Sequence, residues 1–298
     1  MVPFNEAVTT TFARNGALMA LASTMSVQLG AAVAALQIAA LGAPGVAWLR
    51  LAWAGVLMLV IVRPRTASFT RSALINCTAL GVATAGFTLL FTAAVARIPL
   101  GTASALEFLG PLAVAVAKGS GRNRILLPGL AAIGVVLLTQ PWAGAVDPLG
   151  VLFAIGSAGC VAAYILLTQR VSDEVSGITG LAVSIPVAAI IATAVAAPLA
   201  LHRLTPHLLL VGLGLAILLP MVPFALEMQA LRRLSAASFG TLMSLEPAAA
   251  MLMGLTILHQ VPRPPAMVGL VLVVLAGIGA ARAGSRRAAA AEPVPVLY

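Results

Sequence analysis

Charged residues are scarce in this chain. Only 8% of its 298 residues are Asp, Glu, Lys or Arg, whereas 61% are hydrophobic. A soluble domain of ordinary composition carries about 25% charged residues, because it must cover its surface with groups that water solvates. The composition therefore excludes an ordinary water-soluble fold and predicts a protein whose outer surface faces a lipid bilayer.

The residues that build catalytic and metal sites are also rare. The two cysteines, Cys77 and Cys160, lie inside apolar segments without a CxxC pattern, so we expect buried thiols. The three histidines, His202, His207 and His259, lie at the ends of apolar segments, and no HExxH, P-loop or GxSxG motif is present. We therefore expect no enzymatic activity, no metal site and no cofactor.

Long apolar segments make up nearly all of the chain. Each is about as long as the roughly 20 residues that cross a bilayer, and each is continuously apolar rather than alternating, which indicates helices rather than barrel strands. The segments cover residues 16–41, 44–62, 73–96, 99–117, 124–141, 148–170, 177–198, 207–231, 235–258 and 265–282. The sequence predicts an all-α polytopic membrane protein with ten transmembrane helices.

The basic residues are distributed unevenly between the two sides of these segments. One set of alternate loops and termini holds 13 of the 17 basic residues, and the remaining four are Arg50, Arg97, Arg203 and Arg263. The positive-inside rule places both termini in the cytoplasm, with an N-terminal segment over 1–14. The Ala- and Pro-rich tail over 283–298 is expected to be disordered. Because no basic patch is formed, we expect no nucleic-acid partner.

An internal repeat divides the chain into two halves. PLGTASALEFLGPLAV at 99–114 is similar to SAASFGTLMSLEPAAA at 235–250, and an offset of 136 residues aligns Pro111 with Pro247. Each stretch is the fourth of five apolar segments. Because five is odd, the second half enters the membrane from the opposite side, so we expect inverted repeats over 15–141 and 148–282. This arrangement, with a site near the midplane, is typical of secondary transporters.

Three acidic residues lie inside predicted membrane spans. Glu107 and Glu246 are near the middle of the fourth and ninth spans, and Glu227 is close to the cytoplasmic end of the eighth. An ionised carboxylate in lipid is costly, so it must face a cavity, find a partner or bind a proton. We expect Glu107 and Glu246 to bind substrate or carry protons, the alternative being neutral carboxyls held between helices. For Glu227 an ion pair with Arg232 or Arg233 is the alternative.

Prolines and a few polar residues accompany these acids. Pro111 lies one turn after Glu107 and Pro247 follows Glu246 directly, so both are expected to break their helices and free a backbone carbonyl. Pro220 and Pro223 are expected to do the same in the eighth span.

Three further polar residues are candidate ligands. Gln28 lies in the first predicted span of the first half and Tyr164 in the first span of the second half. Both are candidates to hydrogen-bond a polar ligand or a neighbouring helix. Arg50 is a candidate for a substrate carboxylate or a snorkelling side chain.

Five stretches resemble a known family: GAPGVAWLRLA at 42–52, PLGTASALEFLGPLAV at 99–114, YILLTQR at 164–170, LEMQALRRL at 226–234 and SFGTLMSLEPA at 238–248. Over residues 15–282 the chain looks like the EamA-type drug/metabolite transporters, and within them the threonine/homoserine exporters. The resemblance implies a multi-pass protein of the bacterial inner membrane that exports small amino acids by proton-coupled alternating access.

The resemblance also implies a central cavity lined by the first, third and fourth helices of each half. Glu107 and Glu246 stand in its motifs, and Glu227, Arg50 and Tyr164 belong to them with less defined roles. The expected partners are an amino-acid substrate, protons and the lipid bilayer. The sequence does not determine the oligomeric state, and a homodimer is one of the alternatives.

The chain departs from the family pattern in two places. His259 and Gln260 replace a Gly-Glu pair after the ninth helix, a change expected to affect a helix end. Ala34 and Ala35 stand where a polar or basic residue is common late in the first helix, which leaves the substrate open. The alternatives are an exporter of another small metabolite or drug on the same scaffold, and a membrane protein that transports nothing.

Overall fold

Helices account for nearly all of the described chain. The computed structural model describes the backbone of residues 4–63, 69–117, 123–140, 142, 146–175, 177–234 and 236–291. Side chains are described over the same ranges except 4–13, 123–124, 177–178, 224–225, 228, 231, 236–237 and 283–291. Within these ranges there is no β-strand.

Ten helical units follow one another along the chain, and three of them are interrupted. They are α1 (Phe4–Leu36), α2 (Ile38–Val62), α3 (Arg71–Val95), α4a (Leu100–Glu107), α4b (Leu109–Ala117), α5 (Asn123–Thr139), α6 (Pro148–Glu174), α7 (Gly177–Ala200), α8a (Pro206–Ala216), α8b (Val222–Leu231), α9a (Ala236–Met243), α9b (Glu246–Ile257) and α10 (Pro264–Ala291). Eight units are long and apolar enough to cross a membrane, and two apolar helices, Ile125–Thr139 and Pro206–Met221, are shorter. The prediction of ten membrane helices is confirmed.

Short polar residues define several helix starts. Thr70, Asp147 and Thr205 precede α3, α6 and α8a, and each side chain accepts a hydrogen bond from a first-turn backbone N–H. Proline follows in the first turn of α6 and α8a, where its missing N–H removes no helical bond. These signals explain why the helices begin close to the predicted boundaries.

The two ends of the chain are more helical than predicted. α10 continues to Ala291, so the disorder expected over 283–298 does not apply to 283–291, where alanines and arginines favour a helix. Residues 292–298 lie outside the described part. α1 begins at Phe4, inside the predicted N-terminal segment. Gly42, with φ of 72°, kinks α2 where the sequence predicts a break before Pro44.

The outer surface is apolar and the interior is built from small residues. Ile125, Ile190 and Leu210 are 82%, 69% and 69% exposed, as expected for side chains that face lipid. The buried positions are instead rich in Ala, Ser and Thr, and the largest apolar cluster packs alanines of α7 against Trp48 of α2. Ala34, one departure from the family pattern, belongs to this cluster.

Helices of one half pack mainly against helices of the other. α1 packs on α8b and α9b, and α6 packs in the same way on α3 and α4. α2 pairs with α7, α5 with α10 and α4a with α9b. Exchanging the halves reproduces this pairing, as a twofold relation between two five-helix repeats requires. Their interface therefore runs through the centre of the molecule.

Glycines bring the paired helices into close contact. A Cβ on Gly134 of α5 would lie 2.8 Å from the carbonyl oxygen of Gly269 in α10, and a Cβ on Gly81 of α3 would lie 2.6 Å from that of Ser184 in α7. Gly129 of α5, in contrast, has nothing within 4 Å of such a Cβ and faces outward.

Two polar contacts hold the loops at one end of the bundle. Arg97 forms an ion pair of 2.9 Å with Asp147, and this contact holds the pKa of the Asp147 carboxyl below its usual range. The stabilisation is therefore present at neutral pH and is lost as the pH falls through the lowered pKa.

Gln260 ties the two halves together at the same end. Its Oε1 accepts a hydrogen bond of 2.9 Å from the Leu100 N–H, the first of α4a, while His259 beside it adopts a left-handed conformation. The His-Gln departure thus caps a helix of the first half, which agrees with an effect on a helix end.

We expect Gly134→Ala to destabilise the protein, because the added methyl group has no space between α5 and α10. Overpacking of this kind costs about 1–3 kcal/mol. Gly129→Ala on the same helix is the matched control and should leave stability unchanged or slightly raised. Thermal unfolding of the two purified variants in detergent measures the difference, and equal melting temperatures would contradict the close α5–α10 approach.

Candidate functional site

Two interrupted helices place glutamates at their breaks. α4a ends at Glu107 and α4b resumes after Phe108, while α9b begins with Glu246 after a turn at Ser244 and Leu245. Pro111 has no N–H to donate to the carbonyl of Glu107 four residues earlier. Each break therefore places a carboxyl in the centre of the bundle, together with backbone carbonyls released from helical hydrogen bonding.

Pro247 has a different role from the one expected of a kink. It lies in the first turn of α9b, where proline is well tolerated, and Glu246 lies in the same turn. The partial positive charge of a helix N-terminus favours a carboxylate there. Pro247 is buried and starts a new helix, and it is not among the residues that line the cavity described below.

The eighth helix is distorted by its prolines. Ile217–Met221 forms a π-helical turn in which the Val222 N–H bonds to the Ile217 carbonyl. Because Pro223 has no N–H, the carbonyl of Leu218 loses its helical donor, and the Ser26 hydroxyl of α1 donates to it instead at 2.8 Å. Pro220 and Pro223 thus open the helix where it faces the cavity, as expected from the sequence.

A cavity of about 340 Å³ lies between these distorted helices, and we call it the central cavity. Its polar lining includes Gln28, Arg50, Thr84, Thr88, Ser104, Glu107, Tyr164, Glu227 and Glu246. Side chains from the first, third and fourth helices of each half contribute, as expected, and α2 and α7 contribute as well. The volume is in the range of small-molecule sites.

Arg50 faces the central cavity rather than the membrane surface. Its Nη2 donates a hydrogen bond of 3.0 Å to Thr88 Oγ1 of α3. It is also close enough to Glu107 for their charges to interact. Of the two alternatives left by the sequence, the structure therefore contradicts snorkelling and places the guanidinium where an anion can reach it.

Glu107 is held by a serine from the other half. Ser157 Oγ of α6 lies within hydrogen-bond distance of Glu107 Oε1 and of the Phe87 carbonyl oxygen of α3, the latter at 3.1 Å. A hydroxyl has one proton, so it cannot donate fully to both at once. Ser157 therefore shares its proton between the Glu107 carboxyl and the α3 backbone, and it links α4a to α3 and α6.

Glu246 is held by Gln28. The Gln28 Nε2 donates a hydrogen bond of 3.1 Å to Glu246 Oε1, which joins α1 of the first half to α9b of the second. Gln28 is only 2% exposed, and among the described residues its buried Oε1 has no hydrogen-bond partner. An unpartnered acceptor of this kind is costly in the folded state.

Glu227 is held by another serine. Ser23 Oγ of α1 donates to Glu227 Oε1 at 2.8 Å and lies 3.4 Å from the Pro223 carbonyl oxygen. No ion pair of Glu227 with Arg232 or Arg233 occurs among the described residues, so that alternative is wrong. The side chain instead lines the cavity described above, where Ser23 is its hydrogen-bond partner.

Tyr164 adds an aromatic ring to the cavity wall. Its ring packs edge-on against Phe87 with the centroids 5.6 Å apart. Tyr164 could be predicted from the sequence, whereas Ser157 and Ser23, which contact two of the three carboxyls, could not. Serine is common in membrane helices, and nothing in the sequence distinguishes these two.

The cavity lining carries more acid than base. Among the described residues that line it, three can carry negative charge and one, Arg50, carries positive charge. The charges of Glu107 and Glu246 repel each other, as do those of Glu246 and Glu227. This lining therefore suits a positively charged ligand group.

We expect Arg50→Gln to lower the melting temperature by about 5 °C or more, because it removes the only cation from a buried acidic cluster. Arg97→Gln is the matched control, since it breaks an exposed ion pair of little energetic weight. Thermal unfolding in detergent compares the two. A larger loss for Arg97→Gln would contradict the placement of Arg50 in the acidic cavity.

Comparison with known proteins agrees with this architecture. Residues 148–281 match the EamA-like transporter family. The chain is 35% identical over 279 residues to the threonine/homoserine exporter RhtA of Salmonella typhimurium (strain SL1344), covering 93% of this chain and 92% of the relative. It is 34% identical over 262 residues to RhtA of Escherichia coli (strain K12), covering 87% and 88%.

The family match lies in the second half, and the two relatives extend the similarity over the first half as well. Their similarity also supports a multi-pass protein of the bacterial inner membrane and a transporter rather than an enzyme. With its ten helices and central cavity, the chain belongs to the EamA-like transporter family, and within it to the threonine/homoserine exporter branch.

Proposed function

We propose that this transporter exports threonine, homoserine and similar small amino acids in exchange for protons. The observation that carries the proposal is the central cavity, in which three carboxyls and one guanidinium surround a volume of about 340 Å³. A zwitterionic amino acid has one cation and one anion to match this lining. The two relatives are named threonine/homoserine exporters, and the proposed class of amino acid is taken from those names.

The substrate carboxylate binds Arg50 in this proposal. A guanidinium recognises a carboxylate through paired N–H donors, and Arg50 uses one nitrogen on Thr88 while it faces the cavity. The substrate ammonium binds Glu246 or Glu107, which sit at helix breaks near the middle of the bundle. Tyr164 and the proline-distorted segments form the surrounding wall.

Glu107 is the candidate proton carrier. Ser157 contacts its carboxyl, and both Arg50 and Glu246 line the same cavity. A change in either neighbour, such as the arrival of a substrate, therefore changes the affinity of Glu107 for its proton. Coupling of this kind suits exchange of substrate and proton by alternating access, with both termini in the cytoplasm.

Uptake into everted membrane vesicles tests the proposal. Labelled threonine and homoserine should accumulate when a proton gradient, acidic inside, is imposed, because the vesicle interior corresponds to the outside of the cell. Glu107→Gln and Glu246→Gln should each reduce gradient-driven uptake about 10-fold or more, since each removes a charge-assisted contact or a proton site.

Glu174→Gln is the matched control. This exposed glutamate at the end of α6 binds Ser72 and Asn76 and lies away from the cavity, so its loss should leave uptake unchanged. Full gradient-driven uptake by the double variant Glu107→Gln/Glu246→Gln would defeat the proposed coupling. Absence of uptake by well-expressed wild type would leave the transporter fold intact and assign the cavity to another small metabolite.

A further inference from the structure

The amide of Gln28 is held in an arrangement that leaves one polar atom unused. Its Nε2 donates to Glu246 Oε1, whereas its Oε1 has no partner within the part of the chain that the structure describes, although the side chain is only 2% exposed. Buried amide oxygens nearly always accept a hydrogen bond. The residue also lines the central cavity, so a bound molecule can supply the missing donor.

The Gln28 amide nitrogen makes the contact to Glu246 that a substrate ammonium would make. A carboxylate at the start of α9b accepts from an N–H donor, and the amide nitrogen of Gln28 is that donor in this structure. A substrate ammonium is a stronger donor to a carboxylate because it is charged. Once it binds Glu246, the Gln28 amide is released, and the terminal side-chain torsion of glutamine is soft enough for it to turn.

From this geometry we propose that Gln28 Oε1 accepts a hydrogen bond from the side-chain hydroxyl of the substrate and thereby selects hydroxy amino acids. This inference rests on the proposed function. In threonine the hydroxyl and the ammonium are on adjacent carbons, and in homoserine the hydroxyl is one carbon further away. A substrate with its ammonium on Glu246 therefore presents its hydroxyl to the neighbouring Gln28 amide.

The surroundings of Gln28 favour a hydroxyl over a second charge. The positions beside it on the cavity wall, Val27 and Ala31, are apolar, and Leu219 of α8 lies on the same wall. The carboxylate of the substrate is directed to Arg50 on α2. The wall beside Gln28 is therefore largely apolar, which suits a short side chain carrying one hydroxyl.

Competition measurements test the selectivity. Everted vesicles take up labelled threonine in the presence of unlabelled threonine, valine or 2-aminobutyrate. Valine replaces the hydroxyl by a methyl group, and 2-aminobutyrate removes it. In the wild type we expect threonine to compete about 10-fold better than either analogue, the value of one hydrogen bond and one unsatisfied acceptor.

Gln28→Met should abolish this preference. Methionine keeps the length and volume of glutamine without a strong acceptor, so competition by threonine should weaken until the ratio to valine approaches one. Loss of the Gln28–Glu246 hydrogen bond should weaken the binding of all three amino acids by the same factor. This common factor cancels in the ratio of threonine to valine competition. A wild-type ratio of one, or an unchanged ratio in Gln28→Met, would overturn the inference.

Ser26→Ala is the control on the same helix. Its hydroxyl binds the Leu218 carbonyl and does not line the cavity, so the variant should keep the wild-type ratio. A collapse of the ratio in Ser26→Ala equal to that in Gln28→Met would assign the effect to the position of α1 and overturn the role of Gln28.

Ligand-induced stabilisation measures the same preference for threonine over valine without requiring transport. The rise in melting temperature of purified Gln28→Met with threonine and with valine should be equal, whereas wild type should respond more to threonine. A larger response of the variant to threonine would contradict the inference. If wild type neither transports nor binds any amino acid of the panel, the proposed function fails, and this inference fails with it.

Discussion

The cost of an unsatisfied polar group in lipid governs this structure. A bilayer offers no water to a free N–H, carbonyl or charge, so regular helices satisfy their own backbones and polarity is confined to the interior. Three helices break this regularity, at Phe108, at Ser244–Leu245 and over Ile217–Met221. All three breaks adjoin the central cavity, and polar side chains from the opposite half satisfy groups at each of them.

The serine contacts reveal how the two halves share one site. Ser157 in the first helix of the second half reaches the carbonyl of Phe87, and Ser23 in the first helix of the first half reaches that of Pro223. The repeat offset of 136 carries Phe87 onto Pro223. Equivalent backbone carbonyls of the two repeats are thus each contacted by a serine, and each serine also contacts a glutamate. The serines do not occupy equivalent positions, and neither do the glutamates, so the two contacts bind chemically different groups.

Much of the fold is visible in the sequence because hydropathy is a local property. The ten segments, the caps at Thr70, Asp147 and Thr205, and the breaks near proline follow from neighbouring residues. The candidate acids were found for the same reason, since a carboxyl within an apolar segment is conspicuous. The partners of those acids were not, because Ser157 lies 50 residues from Glu107 and Ser23 lies 204 residues from Glu227, and neither serine has an unusual sequence around it.

The sequence alone determined that this is a ten-helix membrane protein with three carboxyls at depth, since composition and periodicity decide what lipid accepts. Only the tertiary structure decided that Arg50 faces the cavity, that Glu227 binds Ser23 rather than an arginine, and that Gln28 holds Glu246 with one oxygen unused. The physical reason is distance along the chain. Hydrogen-bond partners on different helices are fixed by helix packing, and no local pattern records which faces meet.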